Sequence, residues 1–95
     1  MALVTASPEI INRADFGRLL DARGLAAGVE VGVDRGHFAR RLLERWRNGV
    51  CLWCVDTWQP YDEMPWDRTL DMQLAVAALA HEAGRVRLVR MTSAE

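Results

Sequence analysis

Lysine is absent from this chain: all twelve basic residues among its 95 are arginine. With abundant alanine and glycine, that bias suggests a GC-rich, bacterial genome, a codon argument that carries no mechanism. An excess of either charge is also missing. Thirteen acids against twelve bases leave a net charge of −1, which gives no general pull toward nucleic acid or a membrane surface. The first seven residues contain neither a basic residue nor a long apolar run, so no signal peptide is expected. No window approaches the roughly 20 apolar residues of a membrane span, so the expected location is the cytoplasm. Cysteine is scarce. Cys51 and Cys54 form a C-x-x-C, but they sit in an apolar run, residues 50–55, that reads as a buried strand. Positions three apart in a strand face opposite ways and lie roughly 10 Å apart, beyond disulfide reach. No second pair exists to complete a zinc site, so two structural thiols and no metal are expected.

What remains is enough for one domain with one core. Ser7, Pro8 and Glu9 open a helix as N-cap, first-turn proline and dipole-facing acid. Ile11, Phe16, Leu19 and Leu20 continue it as a stripe broken by Gly17, in one helix or two short ones, up to Gly24. Residues 28–33, with three valines, form a first strand suited to burial. Asp34, Arg35 and Gly36 turn into a helix with Phe38, Leu42, Leu43 and Trp46 inward, ending before Gly49. A second strand runs from 50 to about 56, and residues 57–66 are a loop interrupted by Pro60 and Pro65. A helix over about 67–83 carries Leu70, Leu74, Ala78 and Leu79 on one side and stops at Gly84. Residues 85–91 alternate as a strand with one exposed face.

Strands separated by helices of this length make right-handed parallel crossovers. The expected architecture is therefore an α/β, Rossmann-like three-layer αβα fold, with residues 1–27 an N-terminal helical segment and 28–95 a βαβαβ core. Three parallel strands are half of a doubly wound sheet, so the chain is expected to stop before the other half. Its first strand would then be an edge open to self-association. Ligands in such sheets bind at the carboxyl ends of the strands, here after Val31, Val55 and Met91.

The turn after the first strand reads Glu30-Val31-Gly32-Val33-Asp34-Arg35-Gly36. A dinucleotide fingerprint G-x-G-x-x-G set on Gly32 needs glycines where Asp34 and His37 stand. A carboxylate there would obstruct and repel a pyrophosphate, which disfavours NAD and FAD. A ligand with an ammonium and a sulfonium and no phosphate makes the opposite demand. Glu30 can attract its ammonium, while Gly32 and Gly36 let the chain turn tightly beside it. Asp56 falls 24 residues after Gly32, near the roughly 20 expected for an acid that accepts both ribose hydroxyls.

In these residues the chain resembles the class I S-adenosylmethionine-dependent methyltransferases, in the motif variant written E-x-G-x-x-x-G. The likeness covers residues 28–95 and rests on three motifs in order at three strand ends. It implies S-adenosylmethionine as cofactor, held around Glu30, Gly32, Val33, Asp34 and Gly36. It further implies Asp56 on the ribose, Thr57 or Trp58 against the adenine, and Ser93 near the adenine amine. The substrate-selecting groups of such enzymes usually follow a fourth strand, so neither the methyl acceptor nor a catalytic base is indicated. Thr92 and Glu95 also have the form of a capping box opening a further helix.

Two other readings stand beside this one: a non-catalytic nucleotide- or adenosine-binding module, and a structural domain without a ligand. Arg40, Arg41, Arg45 and Arg47 crowd one helix, but Glu44 can pair with three of them, which favours a solvated face over a nucleic-acid patch. His37 and His81 read as exposed helix residues. The 57–66 loop reads equally as a lid, a substrate contact or an aromatic satellite of the core.

Overall fold

A computed structural model describes residues 15–92. The starting helix signal at Ser7 and the proposed adenine contact Ser93 lie outside them. The elements are α1 (Phe16–Ala22), β1 (Ala27–Val31), α2 (His37–Arg45), β2 (Cys51–Asp56), α3 (Thr69–Leu79), a 3-10 stretch (Ala80–Arg85) and β3 (Val86–Arg90). The three strands form one parallel sheet in the order β1-β2-β3, so among the described residues β1 and β3 are its edges. Gly28 pairs with Leu52 and Leu52 with Val86, which fixes the register along one face. This is the α/β half-sheet expected from helices spaced between parallel strands.

The core lies on that face. Leu52, Cys54 and Val86 point into it and meet Leu42, Leu43 and Trp46 from α2 and its end, Ala75 and Leu79 from α3, and Leu20 from α1. The opposite face carries Val29, Val31 and Trp53, all close to half exposed or more. The described residues thus supply two of the three layers. None of their helices is long and apolar enough to cross a membrane.

Gly17 does not break α1 but brings it close to α2: a Cβ there would lie 2.5 Å from the Leu42 carbonyl oxygen. Trp46 is fully buried and satisfies its indole by donating to the Leu25 carbonyl at 2.7 Å. The apolar stripe assigned to α3 needs correction. Leu70 and Leu74 are exposed, and the buried positions are Asp71, Ala75 and Leu79. The helix has turned so that small Ala75 meets Gly36 and Asp71 meets two arginines, for reasons given below. Arg85, expected at the start of β3, instead ends the 3-10 stretch. It donates from Nη2 to the Leu43 carbonyl at 2.6 Å and from Nη1 to that of Gly49 at 3.2 Å, satisfying carbonyls around the end of α2. On the solvated side of α2, Arg40 pairs with Glu44 at 3.5 Å.

Candidate functional site

Each strand ends in a feature that its sequence dictates. After β1, Gly32 takes a left-handed φ of 86° and donates its N–H to the Val55 carbonyl at 2.9 Å. Val33 then drops into the core, 3% exposed, so β1 ends two residues earlier than its valine content suggests. Asp34 (φ 56°) and Gly36 (φ 83°) complete the turn, and Gly36 caps α2. Glycine is favoured at 36 because its backbone is left-handed and a Cβ would lie 3.1 Å from the Ala75 Cα of α3, close enough that the helix would have to give way. After β2, Asp56 is followed by Thr57 and by Trp58, itself left-handed at φ 47°. After β3, the Met91 N–H donates to the Asp56 carbonyl at 3.0 Å.

The three ends enclose a cleft of about 260 Å³ lined by Val31, Gly32, Val55, Asp56, Thr57, Met91 and Thr92. Its place is the one expected for a ligand in a parallel sheet. Among the described residues, Asp56 is the single charged one that lines it.

That carboxylate is 9% exposed and already engaged. Its Oδ2 accepts the Asp34 N–H at 2.8 Å and its Oδ1 accepts the Trp58 N–H at 2.9 Å. These use two of the roughly four lone-pair directions of a carboxylate, leaving acceptor capacity toward the cleft. The Asp34 carboxylate accepts from Arg68 Nη2 at 2.7 Å, and Arg68 Nη1 stands 3.7 Å from Asp56. Arg68 Nε donates to Asp71 Oδ2 at 3.1 Å, while Arg35 Nε donates to Asp71 Oδ1 at 2.9 Å. Tyr61 completes the surround, with its ring centroid 5.6 Å from the Arg68 guanidinium carbon.

Two guanidiniums and three carboxylates therefore interlock at the ends of β1 and β2 and the start of α3. Burial works against the charge on Arg68, but the hydrogen bond it donates to Asp71 and the attraction of Asp56 and Asp34 outweigh that, and its pKa is raised. Asp71 is held below the usual carboxylate range, first by the Arg35 hydrogen bond and then by Arg68. The cluster carries a net charge of about −1, which favours a cation over an anion at its edge. It also removes a phosphate cradle. The Asp34 N–H, which a dinucleotide turn would aim at a pyrophosphate, is spent on Asp56.

Gly32, Asp56 and Thr57 line the cleft together. Glu30 does not line it. Its side chain shares a face with Gly28, and it borders a separate, largely apolar cleft of about 200 Å³ with Phe16, Leu20, Leu42 and Trp46. One Glu30 oxygen is buried there. Trp58 corrects the stacking expectation: it is 2% exposed, packed in the core, with its indole donating to the Asp34 carbonyl at 2.8 Å. Its face is closed to an adenine, and Thr57 is the member of that pair in the cleft. Arg35, Arg68 and Asp71 were missed in the sequence: the only local signal was the three-residue spacing of Arg68 and Asp71, while Arg68 and Asp34 are 34 residues apart and Arg35 and Asp71 are 36 apart. Cys51 and Cys54 are both free, and burial, then Glu30 and Cys51, push the Cys54 thiol up to about 12, the behaviour of a structural thiol. Among the described residues no group of His, Cys, Asp and Glu could hold a metal ion. Compared with known protein families, with curated proteins and with solved structures, the chain matches none.

Proposed function

We propose that this domain binds S-adenosylmethionine at the strand-end cleft and serves methyl transfer in the cytoplasm, as the cofactor-binding part of a class I methyltransferase. The observation that carries the reading is the use of the Asp34 N–H by Asp56. It converts the turn after β1 from a phosphate cradle into an acid-lined lip. The residues fit the nucleoside portion. Asp56 has lone pairs for ribose hydroxyls, Thr57 offers a small polar neighbour for the adenine, and Val31, Val55 and Met91 supply apolar walls. At about 260 Å³ the cleft is just under the roughly 300–1,000 Å³ of small-molecule sites, so it holds part of the cofactor rather than all of it. The net negative cluster adds a field that favours the ammonium and sulfonium.

When bound, the cofactor supplies an electrophilic methyl, and the protein contributes placement and polarity. In this reading Asp56 fixes the ribose, and the turn at Gly32 passes close to the cofactor without a side chain in the way. The methyl acceptor is unassigned.

Calorimetry with S-adenosylhomocysteine, adenosine and NAD tests the assignment. S-adenosylhomocysteine is expected to bind at least about tenfold tighter than NAD, a 1.4 kcal/mol preference. Equal or tighter NAD binding would overturn the cofactor. Adenosine binding as tight as S-adenosylhomocysteine would instead favour a non-catalytic nucleoside module. Heat from none of the three would favour a structural domain.

A further inference from the structure

We propose that Arg68 is a positioning residue for the strand-end cleft, acting through Asp34 and Trp58; its role in cofactor binding rests on the function proposed above. Arg68 sits just ahead of α3 and lines none of the cleft, yet its side chain is only 4% exposed and reaches both strand ends. One nitrogen, Nη2, holds the Asp34 carboxylate at 2.7 Å, and another, Nη1, stands 3.7 Å from that of Asp56. Its Nε is anchored on Asp71, which is itself held from the other side by Arg35. The planar fork spaces these contacts in one rigid unit, which a lysine could not do.

Fixing Asp34 fixes two further groups. Its N–H donates to Asp56, and its carbonyl accepts the Trp58 indole at 2.8 Å. Asp34 and Trp58 both hold left-handed backbones, a conformation that costs a non-glycine residue free energy and persists only when its surroundings determine it. Asp56 bonds the main chain of both. Arg68 thus ties α3 to the two strained turns that orient Asp56, the acid that lines the cleft among the described residues.

The indoles provide a readout that needs no ligand. Trp58 bonds Asp34, inside the Arg68 cluster, whereas Trp46 bonds Leu25, away from it. Hydrogen exchange by NMR on Arg68→Met should speed the Trp58 indole and the Asp34 amide by at least about tenfold, leaving the Trp46 indole and the β2 amides protected. Arg68→Lys should restore protection only in part. If Arg68→Met does not fold, Asp34→Ala breaks the same link from its half-exposed end and should loosen the Trp58 indole likewise. Unchanged exchange at Trp58 in the folded variants, or equal loss at Trp46 and β2, would overturn the proposal. S-adenosylhomocysteine affinity in the same variants forms a separate arm. Local loosening in a protein whose wild type does not bind that ligand would uphold the positioning role and defeat the cofactor assignment.

Discussion

The main-chain N–H of Asp34 donates to Oδ2 of Asp56 at 2.8 Å, joining the turn after β1 to the end of β2. The other oxygen of Asp56 takes the Trp58 N–H at 2.9 Å, so one carboxylate organises both turns. Asp56→Ala should therefore do more than weaken a ligand. Hydrogen bonds to a charged group are worth roughly 1.5–3 kcal/mol each, and some of that returns as the freed N–H groups reach water. The variant is expected to lose about 2–4 kcal/mol in urea unfolding, with an unchanged denaturant slope. A variant as stable as the wild type would remove Asp56 from the framework and leave it a role in binding alone.

Gly36 and Gly32 share a left-handed backbone but differ in their neighbours. A Cβ at 36 meets Ala75 at 3.1 Å, whereas one at 32 meets nothing within 4 Å. Gly32→Ala should cost about 1–2 kcal/mol of conformational strain. Gly36→Ala should cost about 2–4 kcal/mol, since it adds overpacking between the start of α2 and α3. Equal losses in thermal or urea unfolding would show that α3 can move away freely, contrary to the close contact.

Acid should weaken the fold through Asp71 and Glu82. The Arg35 hydrogen bond comes first in depressing Asp71, and the Arg85 bond comes first for Glu82. A carboxyl whose folded pKa lies below its unfolded one stabilises above the unfolded value and loses that contribution as pH falls through the folded value. Stability should accordingly decline below the ordinary carboxyl values of 3.8 and 4.5. Arg35→Gln should flatten the part of this decline that belongs to Asp71. Urea midpoints across an acid series would show it, and an identical pH profile in the variant would exclude the Arg35 pair as its cause.

The edge of β1, unpaired among the described residues, should make the chain self-associate. Val29 is 50% exposed and Val31 62% exposed on a strand with no neighbour on one side among the described residues. Such an edge offers unpaired backbone groups and apolar side chains together. Sedimentation is expected to show a mass that rises with protein concentration, and Val31→Lys should return it toward the monomer. A wild-type chain that stays monomeric at high concentration would refute this.

Periodicity together with glycine and proline punctuation determined the order of elements here, because a short apolar run such as residues 50–56, bounded by Gly49 and by Pro60 beyond it, has few backbone options. The same local rules placed Asp56 at a strand end and Gly36 at a left-handed turn, and the burial of Leu42, Leu43 and Trp46 on α2 followed from their spacing. Orientation between elements was another matter. In α3, apolar Leu70 and Leu74 made a plausible stripe, yet the approach of Ala75 to Gly36 turned Asp71 inward instead. Trp58 followed an acid at a strand mouth and looked available for stacking, but the indole found its acceptor at Asp34 and closed into the core. Arg68 has Asp71 three residues on, but only the crossover delivers it to the two distant carboxylates of Asp34 and Asp56. A residue's own neighbours in sequence fix its backbone preference. Which face it turns and which charge it meets depend on contacts tens of residues away, and those exist only once the sheet has formed.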